Sequence, residues 1–427
     1  MTQTLLTQFQ AAYRDLDLFP LLEPEKIQRF RVEYGREVLV RLKSEVKASE
    51  ENGKFIFAGH RGCGKSTLLN QFAEEMKSTN FVVFYSIADL IEMSDVSHVN
   101  ILYSIGLKLL DAATQAQVPI DVDIRKTLLD WTTTNQKEIF STEDKSAFGT
   151  DPGAIFRFFT AKLQQESSFR RELERTFEKR ISELVRNLDR LAAAIQIKTE
   201  KSVLVIIDDL DKLDLSTVEK IYRNSLKSLF SPGFKIVFTI PISAIPELEI
   251  MGTFRSEGVV RPHLFPVTKF YIREDVHQPD AQPIPKNLGL FESVIELRFA
   301  DCLLDPKTRR KMALMSGGVM RELVRIGREC CMECMIQLEV EPDRTDVRID
   351  DAVLTRAIRN LRNDFARQIG SNYELLANVY HHLNIVEGHE FIKLLHGLMI
   401  LEYENGDLWY DVHPIVVDLL KRKELIK

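Results

Sequence analysis

Eight residues constrain this chain more than any other stretch. Gly59-His60-Arg61-Gly62-Cys63-Gly64-Lys65-Ser66 fit the pattern G-x-x-x-x-G-K-[ST] and follow directly on the apolar run Phe55–Ala58. That run is too short for a helix and rich in Phe and Ile, so it reads as a buried strand, whereas Thr67–Lys77 carries helical spacing. Strand, glycine-rich turn and helix in that order aim successive backbone N–H groups at phosphate oxygens, and the helix dipole adds to the attraction. The pattern implies nucleotide binding through Gly59–Thr67. Lys65 would reach the β- and γ-phosphates, Ser66 would ligate Mg2+ through its hydroxyl, and Thr67 would lie beside it. His60, Arg61 and Cys63 occupy the variable positions, and the Cys63 thiol would make binding sensitive to oxidation.

A second element has to hold the metal and the attacking water. Val203-Leu204-Val205-Ile206-Ile207-Asp208-Asp209 supplies five apolar residues ending in two acids, the Walker B pattern. Asp208 would bind Mg2+ directly or through water, and Asp209 or Asp211 would orient or deprotonate the water. Similar apolar runs at Phe81–Ile87 and Lys235–Ile240, with a fifth at His263–Val267, read as buried parallel strands alternating with helices, hence an α/β fold with a five-stranded sheet. More than a hundred residues separate the second run from the third, far beyond one crossover helix, so a helical insertion is expected over about 111–200. Phe177, Ile181, Leu184, Leu188, Leu191 and Ile195 make one seam on a long helix, read as a hairpin or arm. Its surplus of basic residues is that of a solvated face.

Outside this core, residues 1–50 read as helical, with Glu23–Ser49 opened by Pro24 in a first turn. Residues 51–272 form the core, 273–368 a helical lid that begins with a proline-bearing connector at 273–290, and 369–427 a winged helix. Met399–Tyr403 and Leu408–Val412 flank Glu404-Asn405-Gly406-Asp407, a hairpin signal. A net charge of -6 with 28% charged and 44% hydrophobic residues excludes a disordered chain and gives no general pull toward nucleic acid. No apolar run approaches the roughly 18 to 20 residues of a membrane span, and Met1–Thr4 lack a signal-peptide pattern, so a cytoplasmic protein without membrane contact is expected. Five cysteines cannot all pair, and Cys331-x-x-Cys334 lacks the second pair that a zinc site needs; free thiols are expected.

Together these motifs resemble the AAA+ and STAND branches of the P-loop ATPases, including origin-recognition-like members, over roughly residues 25–427 apart from the insertion. The KAP ATPases, whose insertions carry membrane spans, share the look of Asp208-Asp209-Leu210-Asp211. The resemblance implies ATP or ADP with Mg2+ held between core and lid. It places a polar sensor at Thr239, a sensor arginine at Arg321 after Ser316-Gly317-Gly318, and an arginine finger at Arg255 or Arg261. In the STAND pattern His413 would touch ADP and lock the resting state. The expected function is a nucleotide-driven switch that self-associates or recruits protein partners. The alternative is a DNA-binding loader or remodeller, less favoured because Ser371–Lys427 carries nine acidic against five basic residues.

Overall fold

The computed structural model describes residues 4–121, 152–259, 261–404 and 406–426. Asn405 and part of the expected insertion lie outside the described residues. The chain divides into two compact units, one made of Glu37–Ala58 and Leu68–Leu264, the other of the residues up to Arg36, Gly59–Thr67 and Phe265 onward.

The first unit is organised on a parallel sheet of β1 (Lys54–Gly59), β2 (Asn80–Ser86), β3 (Ser202–Asp208), β4 (Lys235–Pro241) and β5 (His263–Phe265), in the order β2-β3-β4-β1-β5. Every residue of β4 is buried, as is all of β3 beyond Ser202, which explains why these runs are largely apolar instead of alternating. The register sets Asn80 opposite Ser202 and Ser86 opposite Asp208, so β2 and β3 end together.

The apolar seam from Phe177 to Ile195 does not lie on one long helix as expected. Ser167–Phe177 and Ile181–Thr199 are separate helices, broken at Glu178-Lys179-Arg180. Three consecutive charged residues gain nothing from burial, and Phe177 and Ile181 keep their apolar faces inward on either side of the turn. Phe177, Leu184, Leu188, Leu191 and Ile195 join the same core as the strands and the helix His98–Gln115. Each such side chain contributes about 2 kcal/mol by leaving water. Arg170 ties these helices to the segment after β2: it is 5% exposed, and its Nε and Nη2 reach Asp95 Oδ2 at 3.1 and 2.7 Å while Nη1 donates to the carbonyls of Leu163 and Gln164.

The second unit contains the helices Leu5–Asp15, Pro24–Phe30, Pro285–Glu296, Pro306–Met315, Met320–Val340 and Asp351–Ile369. The expected continuous helix over Glu23–Ser49 is interrupted between Phe30 and Arg36, because Gly35 adopts φ +69°, which a right-handed helix cannot contain. The connector ends at Ile284, and Pro285 opens a helix where the missing N–H costs nothing. The C-terminal part folds as Tyr373–His382, His389–His396, β6 (Ile400–Glu404), β7 (Leu408–Val412) and Pro414–Arg422, with β6 and β7 antiparallel. Trp409 and Tyr403 stack at 4.6 Å over Val267, Val319 and Leu401. Among the described residues no helix is long and apolar enough to cross a membrane.

Candidate nucleotide site

The phosphate loop leaves β1 at Gly59 and runs into the helix that begins at Lys65. Two of its glycines are obligatory. Gly62 has φ +79°, and a Cβ there would come within 2.5 Å of Arg321 Cβ; Gly64 has φ +102°, and a Cβ there would come within 1.7 Å of the Tyr34 hydroxyl oxygen. Side-chain groups hold the loop from several directions. Lys65 is 4% exposed, and its Nζ donates to the carbonyls of Gly59 and His60 at 3.0 and 2.8 Å. The Tyr34 hydroxyl donates to Gly64 O at 3.2 Å, and Thr67 Oγ1 accepts from Leu21 N at 3.1 Å. Arg321 N, at the start of the helix Met320–Val340, donates to Gly62 O at 2.9 Å. Cys63 is buried with its Sγ 4.0 Å from Phe265 O, while Arg61 and Ser66 are half-buried. A cradle in which only glycine fits, closed by one ammonium, suits a polyphosphate.

His60, at a variable position of the motif, makes a specific contact. Its ring is 1% exposed and its Nε2 accepts from Glu402 N of β6 at 2.9 Å. Burial, with Lys65, His396 and His413 nearby, pushes its pKa down to about 3, so the ring is neutral. Acceptance at Nε2 puts the proton on Nδ1.

The acidic residues lie in the other unit. β3 ends at Asp208, with β4 between it and β1 in the parallel sheet. Asp208, Asp209 and Asp211 are all buried, and one carboxylate oxygen from each lies within 4.8 Å of the others. Three hard oxygen donors this close suit a magnesium ion. Asp209 sits at φ +68° and is clamped from both sides: Ser86 Oγ donates to its Oδ2 at 2.7 Å, and Lys212 Nζ lies 2.6 Å from its Oδ1. Thr239 is fully buried, donating from Oγ1 to Ile207 O at 3.1 Å and accepting from Leu210 N at 3.0 Å, so its hydroxyl braces the turn that carries the acids. Arg255 and Arg261 are both exposed.

His413 is fully buried as the N-cap of Pro414–Arg422: its Nδ1 accepts from Ile415 N at 3.2 Å, and its ring lies 4.9 Å from Phe365. Burial and the Arg325 charge push its pKa down to about 3. Arg321 is half-buried, with its backbone rather than its guanidinium bonded to the loop.

The motif reading missed Tyr34, Ser86 and Lys212, together with the His60 contact. Ser86 had a signal, a polar residue closing an apolar strand; Tyr34-Gly35 had one too, a glycine inside an otherwise helical run. Nothing in the sequence pairs His60 with Glu402, 342 positions away.

Solved structures similar over most of the chain include the Walker-type ATPase PABY2304 of Pyrococcus abyssi, at 14% identity over 95% of this chain and 99% of that one, TM-score 0.43. Others are Cdc6p from Pyrobaculum aerophilum, at 11% identity over 98% and 99%, TM-score 0.39, and Drosophila ORC bound to DNA, at 9% over 96% and 91%, TM-score 0.37. No curated protein matches the chain in sequence. Residues 46–240, which include the phosphate loop, the three acids and Thr239, match the KAP family P-loop domain, so over this stretch the chain is similar to the KAP family and has the P-loop NTPase fold.

Proposed function

We propose that the chain is an ATP-hydrolysing switch, in which the bound nucleotide sets conformation and thereby self-assembly or recruitment of protein partners. The observation that carries this reading is the membership of the phosphate loop. Gly59–Thr67 belongs to the same compact unit as the helix Met320–Val340 and the hairpin β6–β7, and is bonded to both. A loop fixed in this way cannot rearrange around a ligand without consequence for either.

In this reading Lys65 and the loop amides bind the phosphates, and Ser66 and Asp208 are the metal-side ligands. Mg2+ supplies neutralisation of the charge that builds on the phosphates. Asp209 or Asp211 orients the attacking water. Asp209 reaches that task only by loosening its pair with Lys212, and its side chain is one methylene shorter than a glutamate, so slow turnover is expected.

The test is size analysis of the purified chain with ATP, ADP or no nucleotide, with Lys65→Ala as control and with duplex DNA added. Assembly that requires ATP and is absent in Lys65→Ala is the expected result. Salt-sensitive association with DNA in place of assembly would move the reading to a DNA-binding ATPase. Calorimetry that detects no adenine or guanine nucleotide uptake by folded protein would end both.

A further inference from the structure

His60 is engaged twice. Its carbonyl is held by Lys65 Nζ at 2.8 Å, and its imidazole holds the Glu402 amide at 2.9 Å. The Glu402 N–H therefore points away from β7, and Glu402–Tyr410 is an unbonded pair of the β6–β7 ladder: Tyr410 N donates outward to Leu383 O, and His413 N donates to Met399 O, which sets the alternation. No ladder bond competes with His60 for this amide.

The arriving phosphates compete for Lys65. An ammonium is attracted far more strongly to a polyanion than to two neutral carbonyls, so nucleotide binding draws Nζ off Gly59 O and His60 O. Those carbonyls would then face anionic oxygens without the ammonium they held, and the two peptides on either side of His60, which carry them, would turn to relieve the repulsion. A bond at 2.9 Å to a ring on that same residue does not survive a rotation that carries Nε2 beyond hydrogen-bonding range.

We propose that His60 reports occupancy of the phosphate loop to the C-terminal hairpin: loss of the Lys65 contact on nucleotide binding releases the Glu402 amide from the imidazole. This rests on nucleotide binding by the loop and names the residue through which the switch is read. His60 acts here as a positioning residue, through its main chain on one side and its ring on the other.

Hydrogen exchange of residues 399–412 in the full-length chain tests the idea, without nucleotide and with saturating MgADP or the magnesium complex of a non-hydrolysable ATP analogue, beside calorimetry. Exchange at Glu402 is expected to quicken about tenfold with nucleotide, the effect of losing one hydrogen bond. Glu402→Pro removes the N–H at a position the ladder does not use, and Glu402→Gln keeps it. The proline variant is expected to bind nucleotide within about threefold of the unaltered chain while its hairpin exchanges alike in every state; the glutamine variant is expected to respond as the unaltered chain does. Should Glu402→Pro fail to fold, His60→Gln, which offers an acceptor to the same amide, is expected to keep the response that His60→Ala loses. Nucleotide uptake with no change at Glu402, or a full hairpin response in Glu402→Pro or His60→Ala, would overturn the proposal. Absence of uptake by the unaltered chain would instead overturn the functional reading beneath it.

Discussion

Glu402 offers a stability change whose sign and size follow from its surroundings. The residue is 6% exposed and its carboxylate accepts one hydrogen bond, from the Tyr410 hydroxyl at 2.9 Å. Burial, opposed by that bond and assisted by the charge of Glu404, raises its pKa from 4.5 to about 7. Between these two values the folded chain holds a proton that the unfolded chain has released, so stability falls as pH rises from about 4.5 to about 7. At about 1.4 kcal/mol per pKa unit, the full cost above pH 7 is about 3 kcal/mol. Glu402→Gln removes the titration and keeps the shape, so its stability relative to the unaltered chain should improve by about 2 to 3 kcal/mol between pH 5 and pH 8. Urea denaturation followed by tryptophan fluorescence at both pH values measures this, since Trp409 packs beside the site on Tyr403. Comparing variant and parent at each pH cancels every other titrating group. A relative stability that is flat between pH 5 and 8, or that declines, would refute the argument from burial.

Thr239→Val leaves the Leu210 amide without its acceptor in a site closed to water, so a loss of about 1 to 3 kcal/mol is expected in denaturant titrations, with Thr239→Ser much closer to the parent. Gly64→Ala should cost about 2 kcal/mol or more from backbone strain and collision with Tyr34, and adding Tyr34→Ala should recover the collision part in a double-mutant cycle. His413→Ala removes a helix cap and should cost about 1 kcal/mol, which His413→Asn restores; selective loss of ADP affinity in both variants would instead mark a phosphate contact. Leu188→Ala, in the core beneath the sheet, should destabilise by about 2 to 5 kcal/mol in the same titration.

The sheet was legible because a parallel strand covered on both faces is largely apolar, as Phe55–Ala58, Val203–Ile207 and Lys235–Ile240 are, while the edge strand at Phe81–Ile87 is half-buried yet still carries an apolar run. His263–Phe265 was visible only as the weak end of that pattern. The phosphate loop was legible for a different reason: a backbone wrapped around anions needs glycine at fixed positions, and Gly62 and Gly64 stand where positive φ is required. Helix ends were less legible. The apolar seam from Phe177 to Ile195 is satisfied equally by one helix or by two, and spacing cannot tell a charged turn at 178–180 from a charged face. Long-range bonds such as that from Glu402 to His60 leave no local pattern, because either residue type would also serve in an unrelated place.

The helix His98–Gln115 has so many of its sides buried that it has almost no solvent face, and the inserted helices cover much of it. Shortened versions of the chain that cut out residues 152–199 to obtain a minimal domain would strip that cover and leave a greasy rod in water. Such truncations should precipitate or co-purify with chaperones, so the practical unit for expression and crystallisation retains the insertion whole.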